Sequence, residues 1–272
     1  MPELSVVVVT HNEEANISRC LRSVRWADEI IVVDSFSSDK TVILAKEYTQ
    51  KVFQFEYPGY SVQVERGIQQ ASGKWVFILD ADEEVTPELA GSIKAAIAQP
   101  GVHDGFEVDR KVFVFGQWVE HGGWAPDWQF RLVKHDKYVA EHLEIHGGFT
   151  AQGPVGRLSG SLNHYTYADI SQYLEKINDY TSLHVSNKLK DGSLEEARWY
   201  KILFSPLSYF IRMFIVNKGY KDGMTGFFLA FYSALYNLTL YAKLWEYRIR
   251  KIEGKGKLPP VTNAALLQVK RF

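Results

Sequence analysis

The sequence predicts an α/β fold: a mostly parallel sheet with helices on both faces, followed by a helical region rich in aromatic side chains. Three observations lead there. Short apolar, β-branched runs alternate with helix-periodic segments through the first hundred residues. Each run stops at a polar cluster. Of the aromatic residues, 16 Phe, 15 Tyr and 7 Trp, many fall in the last third of the chain.

Leu4 to Thr10 is apolar and β-branched, the pattern of a strand buried on both faces, and it runs into Thr10-His11-Asn12-Glu13-Glu14. Ile17, Leu21 and Val24 then recur at helical spacing. Glu29 to Asp34 is a second buried strand, and Ser35 to Asp39 is a polar turn suited to cap a helix over Lys40 to Tyr48. Lys51 to Phe55 reads as a third strand, Ser61 to Ala71 as a helix, and Lys74 to Leu79 as a fourth strand ending at Asp80. This alternation implies right-handed crossovers in a doubly wound sheet.

Phe106 to Phe115 alternates like a strand, a Gly-, Trp- and His-rich stretch runs from Gly116 to Trp128, and Phe130 to Val133 is another short strand. Beyond Tyr167, apolar residues at Ile170, Tyr173, Leu174, Ile177 and Tyr180 follow helical spacing. Two long apolar stretches come next, Ile202 to Val216 and Met224 to Leu240, with Arg212, Lys218, Lys221 and Lys243 nearby. Neither is long and clean enough for a membrane span. There is no internal repeat.

The 272 residues suffice for one large α/β domain or for a catalytic domain with a helical appendage, and a net charge of −1 argues against broad nucleic-acid binding. The lone Cys20 excludes an intramolecular disulfide framework and a multi-cysteine zinc site. Met1-Pro2-Glu3 leads straight into a strand without a basic leader, which predicts a cytosolic-facing chain.

In a doubly wound sheet, ligands bind beyond the carboxyl ends of the strands. The clusters at Thr10–Glu14, Asp34–Asp39 and Asp80–Glu84 all lie at such ends, so they are expected to share one crevice. Asp80-Ala81-Asp82 offers two hard carboxylate ligands one residue apart, suited to Mg²⁺ or Mn²⁺ together with substrate phosphates. The plain alternative is an acidic turn capping the helix at Pro87. Asp34 can accept from a base or ribose, or can simply close a turn. His11 can stack on a base or pack structurally. No Gly-x-Gly-x-x-Gly follows the first strand and no P-loop occurs, so dinucleotide oxidoreductases and P-loop phosphotransferases lose support.

Here the sequence resembles a family. LSVVVVTHNEEANISRCLRSV, EIIVVDSFSSDKT and ASGKWVFILDADEEVTPEL, in this order, are similar to the N-terminal half of family 2 inverting glycosyltransferases. HGGWAPDWQFRLVK and GPVGRLSGSLNHYTYADISQYLEKINDYTSL resemble bacterial lipopolysaccharide-core β-1,4-glucosyltransferases. The resemblance implies a GT-A fold, Rossmann-like with a mixed, mostly parallel sheet. It implies a catalytic domain over residues 1–165, with nucleotide-sugar (1–100) and acceptor (101–165) halves, and a helical region over 166–272.

By resemblance, Thr10, His11, Asn12 and Glu13 form the first nucleotide-contacting segment, Asp34 recognises the base, and Asp80, Ala81 and Asp82 hold metal and diphosphate. Two departures stand out. Phe36 replaces the usual glycine of the turn after Asp34, which predicts an altered turn. Glu65-Arg66 stands where many relatives carry Asn, leaving Arg66 to reach the diphosphate or sugar.

Asp127, in Trp124-Ala125-Pro126-Asp127-Trp128, is the candidate general base, or else the start of the turn after Pro126. Trp124, Trp128 and His121 are candidates to line the acceptor. Arg131 is set either to bind diphosphate or to pair with an acidic neighbour. His146 and His164 are candidates for a third metal ligand, against a structural role for each. Glu83 either supports the metal site or caps a helix.

The expected reaction moves a sugar, glucose by resemblance, from a UDP-sugar to a hydroxyl of a glycan or glycolipid, in lipopolysaccharide core or a related surface glycan. Transfer to a polyprenyl phosphate, or a non-catalytic nucleotide-sugar-binding scaffold at the membrane, are the alternatives. The apolar stretches predict peripheral attachment to the cytoplasmic face of a bacterial inner membrane, with a helical bundle or an oligomer contact as the competing reading.

Overall fold

The computed structural model describes residues 2–141, 148–190 and 198–252. The chain divides into two compact units, one of residues up to 111 plus 126–165, the other of 112–125 plus the described residues from 166 onward. The segment 112–125 thus groups with the helical region.

In the first unit, strands β1 (Leu4–Thr10), β2 (Glu29–Asp34), β3 (Val52–Gln54) and β4 (Trp75–Asp80) are parallel, in the order β3-β2-β1-β4. Antiparallel strands extend the sheet from β4: β8 (Trp128–Lys134), β6 (Gly105–Val114), β11 (Val155–Tyr167) and β5 (Glu83–Val85). The sheet is therefore mixed, as predicted. A two-stranded ribbon joins β9 (Tyr138–Glu141) to β10 (Gly148–Ala151).

Continuous apolar runs are explained by cores on both sheet faces. Val6, Val8, Val32, Phe77 and Leu79 pack with α1 (Ile17–Ser23) and α4 (Pro87–Ala98) through Ile17, Leu21, Leu89 and Ile93. Val7, Ile31, Val33, Val76 and Ile78 pack on the other face with Val64 and Ile68 of α3 (Tyr60–Gln70). Gly67 lets α3 approach closely: a Cβ there would lie 2.2 Å from Val7 Cγ1. The short helix α2 (Thr41–Ala45) follows the turn after β2, with Asp39 accepting from the Thr41 N–H at 2.9 Å.

The acidic segment after Asp80 differs from the capping turn weighed above. Glu83–Val85 is a strand paired to Leu162–His164, because Glu83 and Val85 point inward and are buried. The cap of α4 is Thr86, whose hydroxyl accepts from Leu89 N at 3.3 Å. Strand β11 escaped the pattern reading because its Gly- and Ser-rich sequence lacks a clear apolar alternation.

In the second unit, α5 (Ile170–Lys190), α6 (Trp199–Ile211) and α7 (Gly223–Ile252) accompany β7 (Gln117–Val119), which pairs with the end of β6. Tyr167, Tyr173, Ile177 and Leu229 form its core with Val112, Val114 and Val119. A π-helical turn, Arg212–Val216, follows α6. Lys243 of α7 donates to Asn178 O, Thr181 Oγ1 and Ser182 Oγ of α5 at 2.7–2.8 Å, and burial lowers its pKa. Among the described residues, no helix is long and apolar enough to cross a membrane.

Candidate active site

Three strand ends meet at the parallel half of the sheet. Thr10 is in register with Asp34, and Val9 with Asp80, so the loops after β1, β2 and β4 open side by side. The three expected clusters therefore lie at neighbouring strand ends of the first unit.

The first two loops are stitched together. Asn12 takes a left-handed conformation, φ 52°, donates from its N–H to Ser37 Oγ at 2.8 Å, and accepts from Ser38 N at 2.8 Å. The Glu13 N–H donates to Thr41 Oγ1 at 2.7 Å, and the Glu13 carboxylate accepts from Asn16. His11 Nδ1 lies 2.9 Å from Ser35 O, so it carries the proton and leaves Nε2 to accept from Asn12 Nδ2 at 3.0 Å. Asp34 is fully buried and accepts from the Ser37 N–H and hydroxyl and from Gln54 Nε2. Thr10 Oγ1 is buried without a hydrogen-bond partner. Phe36 stands in the turn at φ 55°, the left-handed geometry that a glycine adopts without strain.

A chain of alternating charge crosses the unit. Asp80 accepts from Tyr60 OH at 2.9 Å and from Arg131 Nη2 at 3.1 Å. The same nitrogen donates to Glu83 at 2.6 Å, and Arg131 Nη1 donates to Tyr60 OH at 3.0 Å. Glu83 also accepts from the Asp80 N–H and lies 3.7 Å from Arg110, which grips Asp127 with Nε and Nη2, each at 2.7 Å. Gln129 donates to the other Asp127 oxygen at 2.5 Å. Asp82 faces His164 Nε2 at 3.2 Å.

Burial disfavours the Arg131 charge, yet Glu83, Tyr60 and Asp80 outweigh it and hold its pKa well above the ordinary value. Burial raises the Glu83 carboxyl against the pull of Arg131. Cys20, whose thiol faces Asp80 O at 3.5 Å, is pushed well up by burial and then by the surrounding carboxylates, so it stays neutral.

The hard oxygens of Asp80 and Asp82, two carboxylates one residue apart, fit a divalent cation. Among the described residues, no three His, Cys, Asp or Glu side chains converge to hold one unaided, so phosphate oxygens would complete the coordination. His164 donates from Nε2 to Asp82, leaving Nδ1 buried without a partner. His146 lies outside the described residues.

The remaining candidates are dispersed. Ala81 is buried, its N–H bonded to Val9 O at 3.2 Å. Arg66 donates to Glu56 O and rests over the Phe55 ring. Arg131 takes the ion-pair alternative, its guanidinium committed to Asp80 and Glu83. Trp128 lies in the first unit with Arg157 4.4 Å over its ring. Trp124 and His121 belong to the second unit, where His121 pairs with Asp222 at 2.9 Å. Pattern reading missed Arg110 and Tyr60 altogether. A charged residue in the alternating run Phe106 to Phe115 was the available signal for Arg110.

Residues 5–150 match the profile of Glycosyl transferase family 2. The lipopolysaccharide core biosynthesis glycosyltransferase LpsC of Rhizobium meliloti (strain 1021) is 29% identical over 89% of this chain and 92% of its own length. The uncharacterized glycosyltransferase RT0209 of Rickettsia typhi is 25% identical over 92% of this chain and 89% of its own. Among solved structures, glucosyl-3-phosphoglycerate synthase from Mycobacterium tuberculosis, in complex with Mg²⁺ and UDP, aligns with a TM-score of 0.39 and 20% identity, over 50% of this chain and 57% of its own.

Proposed function

The chain belongs to glycosyl transferase family 2, and on that premise we propose that it moves glucose from UDP-glucose to a glycan hydroxyl with inversion. Its mixed sheet is that of the GT-A fold. The observation that carries the reading is the continuous chain of pairs from Asp80 through Arg131, Glu83 and Arg110 to Asp127. It ties a leaving-group site to a base within one compact unit.

The loops at Thr10–Glu13 and Asp34 receive uridine, with Arg66 a further donor-sugar contact. Asp80 and Asp82 hold Mg²⁺ or Mn²⁺, which when bound neutralises charge on the departing diphosphate. Asp127 takes the proton of the acceptor hydroxyl as its oxygen bonds to the anomeric carbon and the bond to the diphosphate breaks on the opposite face. Arg110 and Gln129 fix the orientation of that carboxylate: Oδ2 takes both Arg110 contacts, and Oδ1, which accepts from Gln129, retains a lone pair for the incoming proton. Trp128, next to Asp127 in the first unit, is the proposed acceptor contact. The similarity to LpsC favours lipopolysaccharide core as the acceptor class, reached from the cytoplasmic face of the inner membrane.

Two variants test the reading on UDP-glucose with a core glycan acceptor. Asp82→Ala should abolish metal-dependent transfer with the circular-dichroism spectrum unchanged. Asp127→Asn should cut kcat by on the order of 10²–10⁴-fold. Wild-type turnover in Asp82→Ala would sink the assignment. Full activity in Asp127→Asn would move the reading to an acceptor that needs no base, such as a polyprenyl phosphate.

A further inference from the structure

The two apolar stretches of the C-terminal region fare differently in the second unit. Met224 to Leu240 lies within α7, where Leu229, Ala230, Ala234 and Leu240 are buried while Met224, Phe231 and Leu238 are exposed. By contrast α6 has no buried residue. Its inner side meets α7 through Phe210, edge to face with Phe227 at 5.9 Å, and Phe214 of the following π turn does the same at 5.8 Å. Along the same segment Leu203, Phe204, Leu207, Ile211 and Ile215 are all exposed, with Phe204 at 61% and Leu207 at 56%.

Leu203 or Phe204, Leu207, Ile211 and Ile215 follow three-to-four spacing, so they form one stripe along the helix. A helix on the surface of a water-soluble protein puts charges on that side. Here the amphipathic order is inverted, and Trp199, Val216, Tyr220 and Met224 add further exposed apolar surface. A contiguous face of this kind marks a contact surface rather than ordinary scatter.

The charges of the segment select the occupant. From Arg198 to Lys221 there are five basic residues, Arg198, Lys201, Arg212, Lys218 and Lys221, and no Asp or Glu. Apolar and aromatic side chains beside long basic stems are the composition of a helix lying in a lipid interface, its ammonium and guanidinium groups reaching the headgroups. Each such cation gains from an anionic leaflet. A protein partner would need a complementary acidic surface, whereas an anionic bilayer supplies both the apolar layer and the charge.

We propose that α6 and the turn through Lys221 are the membrane-docking face of this protein, and that it binds anionic lipid in the plane of the interface. The inference rests on the peripheral membrane location proposed above and assigns it to α6 and the turn that follows it.

The test is co-sedimentation of the full-length chain with vesicles of phosphatidylcholine alone or mixed with phosphatidylglycerol, at rising salt. The chain should partition onto the mixed vesicles, release as salt screens the charges, and bind weakly to neutral ones. Phe204→Ser combined with Leu207→Ser, both at exposed positions, should lower the partition by roughly ten-fold or more. Arg212→Glu with Lys221→Glu should lower it by roughly ten-fold or more on mixed vesicles only. Donor hydrolysis without vesicles should match wild type in all of them.

Equal binding to both vesicle types, no binding, or unaltered binding by the serine variant would each overturn the proposal. So would a wild-type dimer, in sedimentation velocity, that the serine variant splits, since that makes a second copy the occupant. Wild-type chain that docks but never turns over a donor would instead count against the transferase reading and leave the docking face standing.

Discussion

Arg110 is gripped on both sides, by Asp127 at 2.7 Å and by Glu83 at 3.7 Å, and is nearly buried. Its own pKa is raised: burial opposes the charge, but Glu83 and Asp127 outweigh it. Arg110→Ala should destabilise the protein by about 3 kcal/mol, the low end for a broken buried pair because Glu83 keeps Arg131. Arg110→Lys keeps the charge but loses the two-pronged grip on Asp127. It should lower kcat while leaving KM for the donor unchanged; urea titration and steady-state kinetics measure the two effects. Phe36 is a different case. It is half exposed and left-handed, so Phe36→Gly should relieve strain and raise stability by about 0.5–1 kcal/mol, read as a higher denaturant midpoint. A lower midpoint would mean the ring contributes contacts that outweigh the strain.

At the scale of elements, Glu29 shows how β2 is anchored. Its carboxylate accepts from Lys51, from Ser5 of β1 and from Ser72 before β4, so one side chain clamps the starts of neighbouring strands. Burial alone would raise its pKa, but those donors prevail and lower it from 4.5 to about 2. An acid depressed in the folded state contributes stability that is present above its unfolded pKa and lost as pH falls through the folded one. The melting temperature of wild type should therefore fall more steeply than that of Glu29→Gln between pH 4.5 and about 2. Parallel slopes would show that the clamp is not linked to folding. The same scale explains what pattern reading caught and lost. Strands β1, β2 and β4 are legible because burial on both faces demands unbroken β-branched runs. Strand β5 is not, since three residues of Glu-Glu-Val resemble a turn until β11 supplies its partner.

For the molecule as a whole, donor and cation binding should act as one linked event. UDP-glucose with Mn²⁺ should raise the melting temperature of wild type, while each alone does less and Asp82→Ala responds to neither combination, because only ligands of the native state stabilise it. Other nucleotide sugars in the same thermal-shift assay discriminate the donor. Equal shifts with every sugar would show that recognition stops at the nucleotide.

The sequence by itself determined the α/β class, the polar clusters at the ends of β1, β2 and β4, and the carboxylates Asp34 and Asp80 at those ends, because these rest on local periodicity and on where a strand must stop. Only the tertiary structure decided that Arg131 faces Asp80 and Glu83, that Arg110 joins Glu83 to Asp127, and that α6 leaves Leu203, Phe204 and Leu207 exposed. Those facts depend on which strands become neighbours and in what register. A pairing such as Arg131 with Asp80 joins residues 51 positions apart, and no periodicity within either segment encodes it.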